Sequence, residues 1–486
     1  MTENLKRLTL LHSNDIHGDF LAGGANSDAG GISALSGYVV DARAMNKDLL
    51  YLVAGDMLQG SLIDTEYKGL STIEIMNAVN PDVACLGNHE IDYGLPHLLL
   101  LERCAKFPIV CANLFIKNPY TRLFTSHKIL KVNGLRIMVI GLITMDVLSS
   151  LRLDNLLGAL VDVADAAKNV GRICNAYRDM DIDLTILLTH IGFEEDKKLA
   201  TLLDPDWGVD LIIGGHSHTV MDKPEEVNGV LIAQAGHGTA HIGRFDLLLD
   251  TDNNSIKSYH WQYVDIAEAG TPPDRQLEEI IAGFEKIVQK EYNHVLCKFP
   301  RALTHPARNR ETEIGNLFCD ALKDHLGVDL MLLGSGSIRQ EKAGPTVTRK
   351  NLLELMPFDD KVLALRISGA QLRQMIAHML RDEALDGQHG EFYQFSRGLS
   401  VTYNKTTKSF DKFEFIGQPI QDTDVLRVGM QEYHCINFSD FFGFPRESLV
   451  DGKGTVVTTS LRDVLEEYLA STNRPDAVVE GRWVVV

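Results

Sequence analysis

Short apolar runs punctuate the first half of the chain: "RLTLLH", "LLYLVA", "DVACL", "LRIMVIGL", "LTILLT", "VDLIIG" and "VLIAQA", with helix-like segments between them. Bounded by Gly, Asn and Asp, runs of this length read as strands covered on both faces, and their alternation with helices predicts an α/β domain. The pattern changes at "GTPPDRQ". Beyond it Leu277, Ile280, Ile281, Phe284, Ile287 and Val288 share one helical face, which predicts a helix of several turns after Pro273. A second alternation follows, with "VDLMLLG" and "KVLALRIS" as strands and "GAQLRQMIAHML" and "LRDVLEEYLAST" as helices. The expected organisation is a first domain over 1–270, a connector helix over 271–294 and a smaller mixed α/β domain over 295–486.

Composition narrows the function classes. At 486 residues the chain exceeds one ordinary core, which agrees with two domains. Its 45% hydrophobic and 23% charged residues are those of an ordinary globular protein. A formal net charge of -19 argues against a nucleic-acid polymer or an anionic membrane as main partner, because both repel an acidic surface. A small anionic substrate then needs locally concentrated positive charge, which metal ions supply. The apolar run Leu8–Leu11 is too short for a signal peptide, and no run reaches the roughly 18 residues of a membrane span. Seven cysteines without a CxxC pair indicate neither a disulfide framework nor a thiolate metal site. A cytoplasmic location is the expectation, and no partner protein is signalled.

The residues just past the strand ends carry the chemistry. Asp15 and His17 follow the first run, Asp56 the second, and Asn88 and His89 the third, while His190 ends "LTILLTH" and His216 and His218 follow "VDLIIGG". Carboxyl ends of strands in an α/β sheet form the rim where ligands bind, so five strands deliver these side chains to one edge. Imidazole, carboxylate and amide oxygen without thiolate favour a borderline divalent ion such as Mn, Zn, Co or Fe. The donors outnumber the roughly four of one tetrahedral site. Two metals sharing a carboxylate fit the inventory better, and such a centre suits phosphate-ester hydrolysis.

The series "NDIHG", "GDMLQGS", "GNHEID", "LLTHIG" and "GGHSHT" resembles the calcineurin-type metallophosphoesterases, specifically their two-domain 5'-nucleotidase branch. The resemblance implies a four-layer α/β/β/α sandwich with two divalent metals, and a small-molecule nucleotide as substrate. It implies that Asp15, His17 and His218 hold one metal, that Asn88, His190 and His216 hold the other, and that Asp56 bridges them. His89 matches the family's catalytic histidine and Asp92 its carboxylate partner; a spacing of three places the two on one side of a helical turn. Hydroxide held by the metals then attacks phosphorus while His89 assists. Glu90 is a capping or supporting candidate, and His12, His97, His237 and His241 are read as packed or hydrogen-bonded side chains.

The second half resembles the family's substrate-binding domain more loosely, through "RETEIGNLFCDAL", "LMLLGSGSIR" and "LLELMPFDDKVLALRISGAQL". Arg310 and Arg339 align with nucleotide-contacting arginines, and Phe358 and Tyr433 with two aromatics that sandwich a base, where stacking supplies roughly 1 to 3 kcal/mol. Two positions depart from the family pattern: Gly334 and Asp360 each stand where an asparagine is usual, and Asp360 adds negative charge. Asp440 is the candidate for the ribose-contacting aspartate. The sequence therefore predicts a 5'-nucleotidase. Its rivals are a phosphodiesterase or pyrophosphatase acting on cyclic nucleotides, nucleotide sugars or dinucleotides, and a binding protein without turnover.

Overall fold

The computed structural model describes residues 4–21, 31–116, 121–144, 157–160, 162–385 and 391–486. The chain divides into two units, Met1–Val288 and Gln289–Val486.

Two six-stranded sheets build the first unit. One runs in the order Ser255–Asp265, His241–Asp250, Leu5–Ser13, Leu49–Ala54, Val83–Cys85, Ile109–Val110. The other runs Glu225–Val227, Val230–Ala233, Leu211–Ile213, Leu184–His190, Leu135–Ile143, His127–Val132. In each, four neighbouring strands are parallel; antiparallel strands close both edges of the second sheet and one edge of the first, whose other edge is the parallel strand Ile109–Val110. The sheets pack face to face through alternate residues: Leu8, Leu10, Leu50, Leu52 and Val83 of the first meet Ile137, Val139, Ile186, Leu188 and Ile213 of the second. The intervening residues of the second sheet, among them Met138, Ile140, Leu187 and Ile212, turn outward and pack with residues of helices Val163–Ala176 and Phe193–Leu202. Helix Gly31–Met45 covers strand Leu49–Ala54 of the first sheet. This is the four-layer arrangement expected. It also explains the unbroken apolar runs, since every residue of Leu49–Ala54 and Leu184–His190 is buried.

The connector helix spans Arg275–Tyr292. It begins two residues later than Pro273, because the Asp274 carboxylate accepts from the backbone N–H groups of Gln276 and Leu277 at 3.1 and 3.2 Å and so acts as the N-cap. Leu277, Ile281 and Val288 are buried, whereas Ile287 is 51% exposed, so the apolar face is narrower than the spacing suggested.

The second unit is built on a five-stranded sheet, Tyr393–Phe395, Leu330–Gly334, Val425–Gln431, Val362–Ser368, Asp451–Thr458, and a four-stranded one that includes Leu399–Asn404 and Ser409–Phe415. Helix Glu313–Leu326 starts where the Thr312 hydroxyl accepts from Gly315 N–H, and helix Gly369–Met379 starts at a capping box of Ser368 and Gln371. No helix among the described residues is long and apolar enough to cross a membrane.

Candidate metal centre and substrate pocket

The parallel strands of both sheets of the first unit end at one rim, and there the backbone turns sharply. Asp15, His17, Asp56, His216 and His218 all have left-handed backbone conformations, with φ of 51, 50, 49, 79 and 52°. Five of the seven expected metal ligands thus sit where non-glycine residues are rare, at a cost of order 1–3 kcal/mol each, a cost that recurs at functional sites. Close approach also requires glycine: a Cβ on Gly87 would run into the Asp56 carboxylate, and one on Gly215 into Ala54 O and the His190 ring.

The side chains converge as the strand-end argument predicts. Asn88 Oδ1 lies 3.1 Å from His190 Nε2 and 2.8 Å from His216 Nδ1. Asp56 Oδ2 is 3.1 Å from His190 Nε2 and 3.9 Å from His17 Nε2. Asp15 Oδ1 lies 3.4 Å from His218 Nε2 and 3.8 Å from the Nε2 atoms of both His17 and His190. Three triads bring donor atoms within 4.8 Å of one another: Asp15, His17 and His218; Asp56, His190 and His216; and His17, Asp56 and His89.

Second contacts aim these donors. His190 Nδ1 donates to Ala54 O at 2.8 Å and His17 Nδ1 approaches Leu58 O at 3.3 Å, which leaves both Nε2 lone pairs facing the cluster. Asp15 Oδ2 accepts from Asn14 Nδ2 at 2.7 Å, and the His216 N–H is shared between Oδ2 at 2.9 Å and Oδ1 at 3.1 Å, with Oδ1 the oxygen nearest the histidines of the cluster. Asp56 is divided likewise, with Oδ1 accepting from His89 N–H at 2.9 Å. Lone pairs of carboxylate, amide oxygen and neutral imidazole aimed at shared points are a donor set that fits divalent cations. With protein groups alone, burial would raise the Asp56 pKa, but the hydrogen bond and charge of His190 outweigh it and bring it to about 2. His190 moves the other way: burial opposes its charge, and the bond to Asp56 nonetheless lifts it to about 9.

His89 opens a single 3₁₀ turn, His89–Ile91, closed by Asp92 N–H donating to His89 O at 3.3 Å. Its Nδ1 lies 2.7 Å from Asp92 Oδ2, and this bond raises its pKa to about 9. The ring packs edge-on against His17 at 5.3 Å, so Nε2 is the nitrogen left for a ligand at the cluster.

Sequence reasoning bracketed Glu90 and passed over Asn14. Glu90 is 2% exposed, and its carboxylate accepts from the backbone N–H groups of Asp56, Met57 and Gly87 at 3.1, 2.8 and 2.5 Å. It pins the Asp56 loop to the Asn88 loop. The signal available was its place between His89 and the turn-closing Asp92, where a solvated glutamate is the commoner reading. Asn14 spans Asp15 Oδ2, Gly236 O and Ala235 N–H. Among the histidines read as packed, His237 is exposed and stacks on His218 at 4.9 Å, His241 stacks on Tyr263, and His12 is wholly buried.

In the second unit a cavity of about 310 Å³ is lined by Arg339, Phe358, Asp360, Glu391, Tyr433 and His434, with Arg308 at its edge. Phe358 and Tyr433 are 49% and 53% exposed, and the Arg339 guanidinium lies 4.9 Å from the Phe358 ring centroid. Arg310 is exposed and is not among the lining residues; Arg308 takes that place. Asp440 is exposed and likewise absent from the lining.

This arrangement is that of a known class. Residues 8–220 match the calcineurin-like phosphoesterase family, and the chain is a metal-dependent phosphoesterase. Residues 294–443 match the 5'-nucleotidase C-terminal domain, and the two together cover more than half of the chain. It belongs to the two-domain 5'-nucleotidase family. The mouse 5'-nucleotidase is 26% identical over 98% of this chain and 90% of its own length. The endonuclease YhcR of Bacillus subtilis is also 26% identical over 98% of this chain, which spans 40% of that longer protein. The crystal structure of a 5'-nucleotidase precursor from Thermus thermophilus superposes with a TM-score of 0.61 and 25% identity, covering 99% of both chains.

Proposed function

We propose that the chain is a dinuclear 5'-nucleotidase that releases phosphate from nucleotides. The convergence of seven donors from both sheets carries this reading: six of them fall in overlapping triads, and Asn88 Oδ1 lies within 3.1 Å of His190 and His216. Asp15, His17 and His218 would hold one divalent ion, Asn88, His190 and His216 the other, with Asp56 between them. Two such ions, when bound, supply Lewis acidity to the phosphoryl group and lower the pKa of water. The protein's part is positioning and proton handling. Asp92 holds the His89 imidazole with Nε2 forward and favours its protonated form, which stabilises negative charge on the phosphoryl oxygens. That proton then passes to the leaving oxygen as the P–O bond breaks and water supplies the new oxygen on phosphorus. In the second unit Phe358, Tyr433 and Arg339 are suited to a planar base, and Arg308 to phosphate or ribose in place of Arg310.

The test is phosphate release from nucleoside mono-, di- and cyclic phosphates and nucleotide sugars, by chelated protein reconstituted separately with Mn, Zn, Co and Mg. Metal-dependent release from monophosphates is expected; silence on every monophosphate overturns the reading. A phosphodiesterase is the second reading, favoured by the similarity of nearly the whole of this chain to 40% of an endonuclease. Faster cleavage of bis-(p-nitrophenyl) phosphate than of the monoester would establish it. A reducing compartment such as the cytoplasm fits seven free cysteines, six of them buried, and cell fractionation tests that placement.

A further inference from the structure

The cavity of the second unit holds two carboxylates in different circumstances. Glu391 accepts from Gly336 N–H at 2.8 Å and has the positive charges of Arg308 and Arg339 acting on it. Asp360 has no ion-pair partner among the described residues, and the charges acting on it are those of Glu432 and Asp359. Burial and these neighbours raise its pKa, against one hydrogen bond from Gln431.

That bond fixes how Asp360 faces the cavity. Gln431 is wholly buried, and its Oε1 accepts from Gly334 N–H at 3.0 Å, so the amide can present only Nε2 to Asp360 Oδ2, also at 3.0 Å. Asp360 is therefore held as an acceptor, and its Oδ1 has no donor among the described residues. Position 334 cannot share the task. The His434 ring occupies the space a Cβ on Gly334 would need, anchored by the Tyr393 hydroxyl 2.8 Å from its Nδ1.

A partly desolvated, acceptor-only group beside two exposed rings calls for a flat ligand whose edge carries adjacent donors. Guanine offers N1–H and the 2-amino group side by side. Adenine offers a 6-amino group next to the N1 lone pair, which would face a carboxylate oxygen; cytosine repeats that pairing, and uracil has a single N–H between two carbonyls. We propose that Asp360 is the base-reading residue of this cavity and selects guanine, its carboxylate accepting from N1–H and the 2-amino group. The inference rests on the reading that this cavity takes the base of the nucleotide.

The experiment pairs binding with turnover. Calorimetric titration of the chelated full-length protein with guanosine, inosine and adenosine reads the base alone. Phosphate release from GMP, IMP and AMP by wild type and Asp360→Asn reads it in turnover. Guanosine should bind at least about tenfold more tightly than adenosine, with inosine between because it lacks the 2-amino group. In D360N the preference should fall below about threefold or turn toward adenosine, because an amide matches adenine's donor–acceptor edge. Equal affinities in wild type, or a guanine preference that survives D360N, overturn the inference. Guanosine preference without hydrolysis of any monophosphate would sink the nucleotidase reading and leave Asp360 standing. Hydrolysis of GMP and AMP alike, with equal binding, would do the reverse.

Discussion

Asp92 Oδ2 lies 2.7 Å from His89 Nδ1 while His89 N–H donates to Asp56 Oδ1, so one residue is tied at its ring to an aspartate three positions on and at its backbone to the centre of the donor cluster. The imidazole is thereby located with respect to the cluster before any substrate arrives. Replacing His89 by Asn should lower kcat by about 10²–10⁴ with little change in KM. Asp92→Asn should cost about 10–100-fold and shift the pH profile, since it removes the acceptor that favours the imidazolium. Unchanged kcat in H89N would exclude His89 from the chemistry.

Glu90→Ala deletes the acceptor for three well-placed backbone N–H groups in a site that water does not reach. At about 1–3 kcal/mol for each unsatisfied buried donor, the loss should exceed about 3 kcal/mol in urea unfolding, with weakened metal affinity alongside. Less than about 1 kcal/mol would mean the loops are held by other contacts.

The donor convergence makes metal a stabiliser of the native state. Adding Mn or Zn at about 100 times its dissociation constant should add about 2.7 kcal/mol and raise the melting temperature, and chelation should reverse it. Asp56→Asn should abolish most of that increment. An identical melting temperature with and without metal would contradict the site.

Asp196 gives a pH dependence of its own, although it is not among the candidate ligands. It is wholly buried, and desolvation lifts its pKa to about 7 despite hydrogen bonds from Thr189 and Gln234. The folded value lies above an unfolded one near ~3.9. Its contribution is therefore complete below pH ~4 and is lost as pH rises toward about 7, a difference of about 4 kcal/mol across that window. Urea unfolding of chelated wild type and Asp196→Asn at pH 4.5, 6 and 7.5 should show the variant gaining on wild type as pH rises. A constant difference would show that Asp196 does not titrate there.

What could be read from the sequence follows from how local each feature is. Strand ends and the side chains after them are adjacent in sequence, so Asp15, His17, Asp56, Asn88, His190, His216 and His218 were all legible. Asn14 was not, because its partners Ala235 and Gly236 belong to another loop; Glu90 was legible as a supporting candidate, but its partners Asp56 and Met57 in the loop after the second strand were not. The helix after Pro273 was legible from its spacing, but its first residue was decided by the Asp274 cap. The substrate cavity was the least legible part. Arg308 rather than Arg310 reaches its edge, and the glycine at 334 has its reason in His434, a hundred residues further on.

The left-handed backbone at five candidate ligands restricts which residues can replace them. A β-branched side chain is strongly disfavoured at such φ values, whereas Asn, Asp and Gly are tolerated. Drift at these positions would therefore run toward Asn and Gly, which preserve the turn while removing the charge or the imidazole. A descendant of this protein that abandoned catalysis would keep its architecture, and its lapse would be recorded as asparagines and glycines at the rim of intact sheets.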